Sequence, residues 1–264
     1  MLTRVACEPY TLVVTSCGRF DLLEQTLRSF YTHVDITPEE LIVVEDSTDM
    51  DVHKVLDGLG LRARIFVNET RLGQMRSIDR AYTAVRTPLI FHCEDDWLFT
   101  RGGFIGASAN ILASLHNASM VGLRPRAELN PLVRASPTQR VGEVEYFQMD
   151  PKLHPEYFSY SFNPGLRRLS DYALLGPCAP LGGEEDVSYT FKKAGFYIAN
   201  LEVPAVSHIG YGRHIDDPRM RPRARTLVQR LARSARKRVK RLQRAFGVWP
   251  RAQKGALLKG AQNI

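Results

Sequence analysis

The sequence predicts an α/β domain built on a mostly parallel sheet with flanking helices, followed by a basic amphipathic C-terminal helix. Three observations support this. Apolar, strand-length runs recur at residues 12–15, 41–44, 64–67 and 89–93. Stretches of helical periodicity separate them, the alternation that produces βαβ units and a sheet covered on both faces. Residues 219–264 hold 15 Lys and Arg and no acid, leaving 21 bases against 28 acids before residue 219. The boundary is therefore set between an acidic body, 1–218, and a basic tail, 219–264.

After the first strand, Asp21 is expected to cap a helix, with Glu24 completing a capping box. Leu23, Leu27 and Phe30 then recur on one helical face. Residues 74–85 are helical and stop before Thr87-Pro88. A helix is expected at 104–116 and a strand at 120–123. Between 124 and 180 prolines and glycines break every pattern, and Tyr157, Phe158, Tyr160 and Phe162 cluster. So long an irregular stretch is usually functional or disordered. A helix at 184–194 stops at Gly195 in the C′ position, and a strand follows at 197–201.

The 44% hydrophobic and 24% charged fractions are those of an ordinary globular protein. No apolar stretch approaches the ~20 residues a membrane span needs. MLTRVACEPY carries an acid and a proline before any apolar run, so a cytoplasmic protein without a secretory leader is expected. Cys7, Cys17, Cys93 and Cys178 have no CxxC spacing, which implies free thiols rather than a zinc site.

Glu94-Asp95-Asp96 directly follows an apolar strand. Ligands of open parallel sheets sit outside the carboxyl ends of strands. Three adjacent carboxylates there repel one another unless a cation or donors compensate, and Mg²⁺ takes carboxylate oxygens together with substrate phosphates. A second acidic run, Glu184-Glu185-Asp186, opens a helix after Leu181-Gly182-Gly183. Acids in a first turn suit the helix dipole, but the flexible approach would also let a carboxylate meet a ligand. His208 follows a further apparent strand.

Residues 11–19 (TLVVTSCGR), residues 41–49 (LIVVEDSTD) and the acidic turn at 94–96 resemble, in order and spacing, glycosyltransferase family 2 with its Rossmann-like GT-A fold. The resemblance runs from about residue 10 to residue 215. It implies that Thr15 and Asp46 hold the nucleobase, most often uracil, that Asp95 contacts the ribose, and that Asp96 binds the metal, completed by His208. It places the general base at Glu184 by counting back from Gly195, or at Glu185 by anchoring on Gly182-Gly183. The family's D-x-D is E-D-D here, and its G-x-x-x-x-R-N becomes Gly73 to Asp79. Arg71, Gln74 and Arg76 are accordingly expected as nucleotide or phosphate contacts.

The implied reaction is inverting transfer of a sugar from a nucleoside diphosphate, UDP favoured, to a hydroxyl of a glycan or lipid-linked acceptor, with Mn²⁺ or Mg²⁺. The competing readings are a nucleotidyltransferase of related fold and a nucleic-acid-binding protein acting through the tail. Leu227, Val228, Leu231, Ala235, Val239, Leu242 and Phe246 share a helical face opposite Arg and Lys, and Trp249 follows. That pattern favours an anchor on an anionic membrane, here its inner face, over nucleic acid.

Overall fold

The computed structural model describes residues 7–219 and 226–245. The chain runs β1 (Tyr10–Ser16), α1 (Phe20–His33), β2 (Glu40–Glu45), α2 (Val52–Gly58), β3 (Arg64–Val67), α3 (Gln74–Tyr82) and β4 (Leu89–Glu94). There follow β5 (Trp97–Phe99), α4 (Phe104–Ser114), β6 (Ala118–Gly122), β7 (Thr138–Val141), β8 (Val144–Met149), β9 (Gly165–Arg168) and α5 (Leu169–Leu175). The last elements are α6 (Glu184–Lys193), β10 (Tyr197–Leu201), β11 (Val206–His208) and α7 (Leu227–Ala245).

Among the described residues, nine strands form one sheet in the order β3-β2-β1-β4-β9-β6-β10-β8-β7. Only β8 and β9 run against the rest, so the sheet is mostly parallel as expected. The chain lays β2 and β3 on one side of β1 and then crosses to β4 on the other. The β1–β4 boundary is thus the topological switch point, where a crevice opens beyond the strands' carboxyl ends. A two-stranded ribbon, β11 against β5, pairs His208 with Trp97 above it.

The strand runs are continuous rather than alternating because both faces are covered. Leu12, Val14, Val43 and Phe91 pack with Leu23, Leu27 and Phe30 of α1. Val13, Ile42, Val44 and Ile90 face Ile78 and Ala81 of α3 and Val187 and Phe191 of α6. Each such side chain contributes roughly 1.5–3 kcal/mol on burial. Phe30 also meets Phe99 edge-on at 5.0 Å.

Two helix ends test the sequence rules in opposite directions. At the C-terminus of α6, Gly195 has φ 87°. Its N–H bonds to Lys192 O at 3.0 Å and that of Phe196 to Phe191 O at 3.0 Å, a Schellman motif. The expected capping box on Asp21 is not formed. Helix α1 starts two residues earlier, at Phe20 with Arg19 as N-cap, and makes no side-chain cap bond. Asp21 lies in the first turn and pairs instead with Arg213.

The irregular stretch holds more structure than its composition suggests. The β7–β8 hairpin extends the sheet beyond β10, and β9 inserts antiparallel between β4 and β6. Neither strand has a readable pattern: β7 is almost wholly exposed, and β9 is Gly-Leu-Arg-Arg. Arg167 is nonetheless 1% exposed, its guanidinium donating to the carbonyls of Ser161 at 2.9 Å and Asn163 at 3.0 Å. Gly165 allows this insertion, because a Cβ there would lie 2.4 Å from the Val121 carbonyl oxygen. Gly165→Ala is therefore expected to lower stability by about 1–3 kcal/mol, read as a shift of the urea midpoint. An unchanged midpoint would show that β9 has room to move.

Candidate active site

The site is built on the loops that leave β1, β2 and β4. Register places Thr15 of β1 between Val44 and Glu94, so the three strands end side by side. The chain leaving β1 turns through Gly18, at φ 69°, and brings Arg19 over the acidic turn after β4. The Arg19 guanidinium donates to both carboxylates, to Asp96 Oδ2 at 2.7 Å and to both oxygens of Asp95. Asp95 Oδ2 also accepts from Ser16 Oγ at 3.1 Å and Cys17 N–H at 3.3 Å.

His208 reaches the same turn across the β5–β11 ribbon, its Nε2 3.3 Å from Asp96 Oδ2. The Ile209 N–H bonds to Asp96 O at 2.9 Å, fixing the ribbon to the turn. Gly210 is packed against Asp96 so closely that a Cβ would fall 2.3 Å from Oδ2. Asp96 Oδ1 is buried with no hydrogen-bond partner. Among the described residues, no group of three or more His, Cys, Asp or Glu converges as a closed cation cage. An orphaned carboxylate oxygen with an imidazole beside it nonetheless fits an open divalent site, whose other ligands come from substrate phosphates and water.

The acids here carry the mark of desolvation. Burial, then the charges of Asp96, Glu184 and Asp95, push Glu94 up to about 8. Burial lifts Asp95 to about 6 against the opposing pull of Arg19. Glu94 accepts from Gln74 Nε2 at 2.8 Å. That bond brings the start of α3 into the cleft.

The β2 end is occupied differently. Asp46 Oδ1 accepts from Asn68 Nδ2 and Leu72 N–H, both at 2.7 Å, and Oδ2 accepts from Gly73 N–H at 2.9 Å. Asp46 thus organises the loop carrying Arg71 and Gln74. Arg71 donates to Asp216 O at 2.7 Å, and Asp217 accepts from the Gln74 N–H at 2.9 Å. Residues 209–219 thereby strap the cleft from Asp96 to the start of α3. Arg76 is exposed on α3.

Opposite the acidic turn stands the start of α6. Asp79 positions its approach, accepting from the Cys178 N–H at 2.7 Å, the Ala179 N–H at 2.8 Å and Tyr172 Oη at 3.0 Å. Asp186 closes a capping box with the Gly183 N–H at 3.0 Å. The three acids then diverge. Glu184 accepts from Ser161 Oγ at 2.9 Å and lines a cavity of about 180 Å³ with Arg124, Tyr157, Asn163 and Asn200. Glu185 and Asp186 turn to Lys240 of α7. Burial raises the Glu184 carboxyl, opposed by the Ser161 bond.

Similar solved structures include GalNAc-T7 with UDP, GalNAc and Mn²⁺ (14% identity, TM-score 0.56), matched over 77% of this chain and 44% of that one. Glucosyl-3-phosphoglycerate synthase from Mycobacterium tuberculosis, with Mn²⁺, UDP and glucosyl-3-phosphoglycerate, matches over 94% of this chain and 83% of that one (17%, 0.55). A mannosyltransferase from Pyrobaculum calidifontis with GDP-Man and Mn²⁺ matches over 99% and 77% (13%, 0.57). The chain has a GT-A fold. At these identities the fold is what the structures share. The chain spans less than half the length of the GalNAc-T7 chain, and no family model or curated protein matches its sequence.

The cleft gathers Thr15, Asp46, Gln74, Asp95, Asp96, His208 and Glu184, with Arg71 at its rim and Glu185 turned away from it. Arg19 as the partner of both aspartates, and Asp79 and Ser161 as groups placing Glu184, are not anticipated by the sequence pattern. Arg19 had a signal: it is the lone base in the loop after the first strand.

Glu184 carries a consequence for stability. Its folded carboxyl holds a proton above the ordinary 4.5. The folded state therefore binds more protons than the unfolded state above that pH, and stability falls as pH rises through the folded value. Glu184→Gln keeps the Ser161 acceptor and removes the charge. Its melting temperature should match wild type near pH 4 and exceed it as pH rises above 4.5, the gap levelling off once the folded value is passed. Parallel pH–melting curves would contradict a desolvated Glu184.

Proposed function

We propose that this chain is a metal-dependent, inverting glycosyltransferase using a nucleoside-diphosphate sugar, with residues 1–218 as the transferring domain. The observation that carries the reading is the Asp95-Asp96 turn at the β1–β4 switch point, with Arg19 and His208 on one side and Glu184 across the cleft. UDP is the favoured nucleotide, on the family resemblance and on the UDP held by two of the similar structures. The mannosyltransferase, with GDP-Man, defines the alternative.

In this reading Thr15, Asp46, Arg71 and Gln74 form the nucleotide side, and Asp95 receives the ribose. Asp46 acts mainly through the loop it organises, since its carboxylate accepts from residues 68–73. Asp96 and His208 would hold Mn²⁺ or Mg²⁺, which supplies positive charge to the departing diphosphate. Arg19 pairs with both aspartates and holds them at the cleft.

Glu184, oriented by Ser161, accepts the proton of the acceptor hydroxyl. The hydroxyl oxygen bonds to the anomeric carbon as the bond from that carbon to the phosphate oxygen breaks, and the electron pair leaves with the diphosphate. One displacement inverts the anomeric centre. The cavity beside Glu184 holds the acceptor, a glycan or lipid-linked alcohol of polysaccharide synthesis. The basic segment 219–264 attaches the enzyme to the inner face of a membrane.

Two variants test the assignment separately. Asp96→Ala should retain its fold and lose Mn²⁺-dependent UDP binding by calorimetry. Wild-type affinity there would remove Asp96 from the site. Glu184→Gln should bind UDP normally yet lower kcat roughly 10²–10⁴-fold, with the acid limb of the wild-type pH–rate profile lying above 4.5. Full activity in Glu184→Gln with an inactive Glu185→Gln would move the base by one residue.

A further inference from the structure

Helix α7 is docked by the side that its sequence pattern would leave in water. Its basic residues grip the acidic shoulder of α6. The Arg244 side chain is 1% exposed, and it donates to Glu156, to Asp186 and to the Glu185 carbonyl at 3.3 Å. Its guanidinium lies 4.7 Å from the Tyr189 ring centroid, and the Tyr189 hydroxyl donates to the Arg244 carbonyl at 3.2 Å. Lys240 lies 2.9 Å from Asp186 and 3.4 Å from Glu185, and Arg241 lies 3.5 Å from Glu156. Buried ion pairs of this kind are costly to break on one side.

At about 100° per residue, positions 240 and 244 lie opposite the apolar stripe. That stripe consequently faces away from the domain: Leu227 is 73% exposed, Val228 75%, Leu231 63%, Val239 54% and Leu242 58%. Arg230, Arg233, Arg236 and Arg238 are exposed on the same helix. Phe246 and Trp249, which the sequence pattern adds to this stripe, lie outside the described residues.

We infer that α7 is a two-sided adaptor. Its basic face stays clasped to α6 through Arg244, while its outward apolar stripe seats on an anionic lipid bilayer. The charge pattern argues for this occupant. The apolar stripe offers area for the acyl boundary, and the exposed Arg230, Arg236 and Arg238 beside it, with no acid in the helix, suit anionic headgroups. A second copy of the chain would instead have to bring this density of like charge against itself. Because Arg244 and Lys240 grip Glu185 and Asp186, the bilayer-facing helix is joined directly to the helix that opens at Glu184. This deepens the membrane attachment contained in the reading above.

The test uses full-length protein, with vesicles of phosphatidylcholine alone or mixed equally with phosphatidylglycerol, and no nucleotide or sugar, so it can fail independently of the transfer chemistry. Wild type should co-sediment with mixed vesicles only. The double variant L231E/L242E, with unchanged melting temperature, should partition more than about tenfold less. Hydrogen exchange of the amides of residues 184–190 should stay as slow on vesicles as in solution, since the clasp persists. Undiminished vesicle binding by the double variant would overturn the stripe as the lipid surface. Accelerated exchange in α6 on vesicles would overturn the clasp. Lipid-free self-association abolished by L231E/L242E would assign the stripe to a second copy.

Discussion

Everything in the cleft follows from gathering negative charge at the one place where the sheet reverses its winding. Strands β1 and β4 end together, and the turn after β4 carries Asp95 and Asp96 out of an otherwise apolar strand. Removing an ion from water costs several kcal/mol even in a relaxed protein. The fold meets that cost with one guanidinium, two donors from the β1 loop and the imidazole beside Asp96. The compensation is partial. Glu94 and Asp95 both sit above the ordinary carboxylate range through burial, and one oxygen of Asp96 has no partner. A cleft with residual demand for positive charge is well suited to a cation–diphosphate pair.

The same shortage of positive charge shapes the second half of the molecule. Three consecutive acids open α6, and they are separated by direction. Glu184 faces the cavity with a single hydroxyl partner, while its neighbours are neutralised from outside by α7. The base candidate is thus the acid that the rest of the chain leaves least compensated. That asymmetry distinguishes Glu184 from Glu185, between which sequence counting could not choose.

The parallel strands were legible because strands buried on both faces are written as uninterrupted apolar runs, so β1, β2 and β4 stand out at once. The end of α6 was legible because a Schellman motif demands a residue at positive φ, and Gly195 supplies it. Strand β9 was not, since a four-residue strand with a buried arginine has no apolar signature and depends on carbonyls supplied by Ser161 and Asn163. The Asp21 capping box failed because α1 begins at Phe20, which puts Asp21 inside the first turn, where its carboxylate pairs with Arg213. The acids and His208 could be picked out from strand-end positions and resemblance. The partnership of Arg19 with two aspartates, and of Arg244 with α6, exists only in three dimensions.

The most direct measurement is anomalous diffraction from crystals grown with UDP and Mn²⁺. One manganese peak is expected between Asp96 and His208, with the diphosphate completing its shell and Arg19 still paired to Asp95. A nucleotide bound without manganese at that turn, or a peak at Glu185 and Asp186 instead, would contradict this assignment.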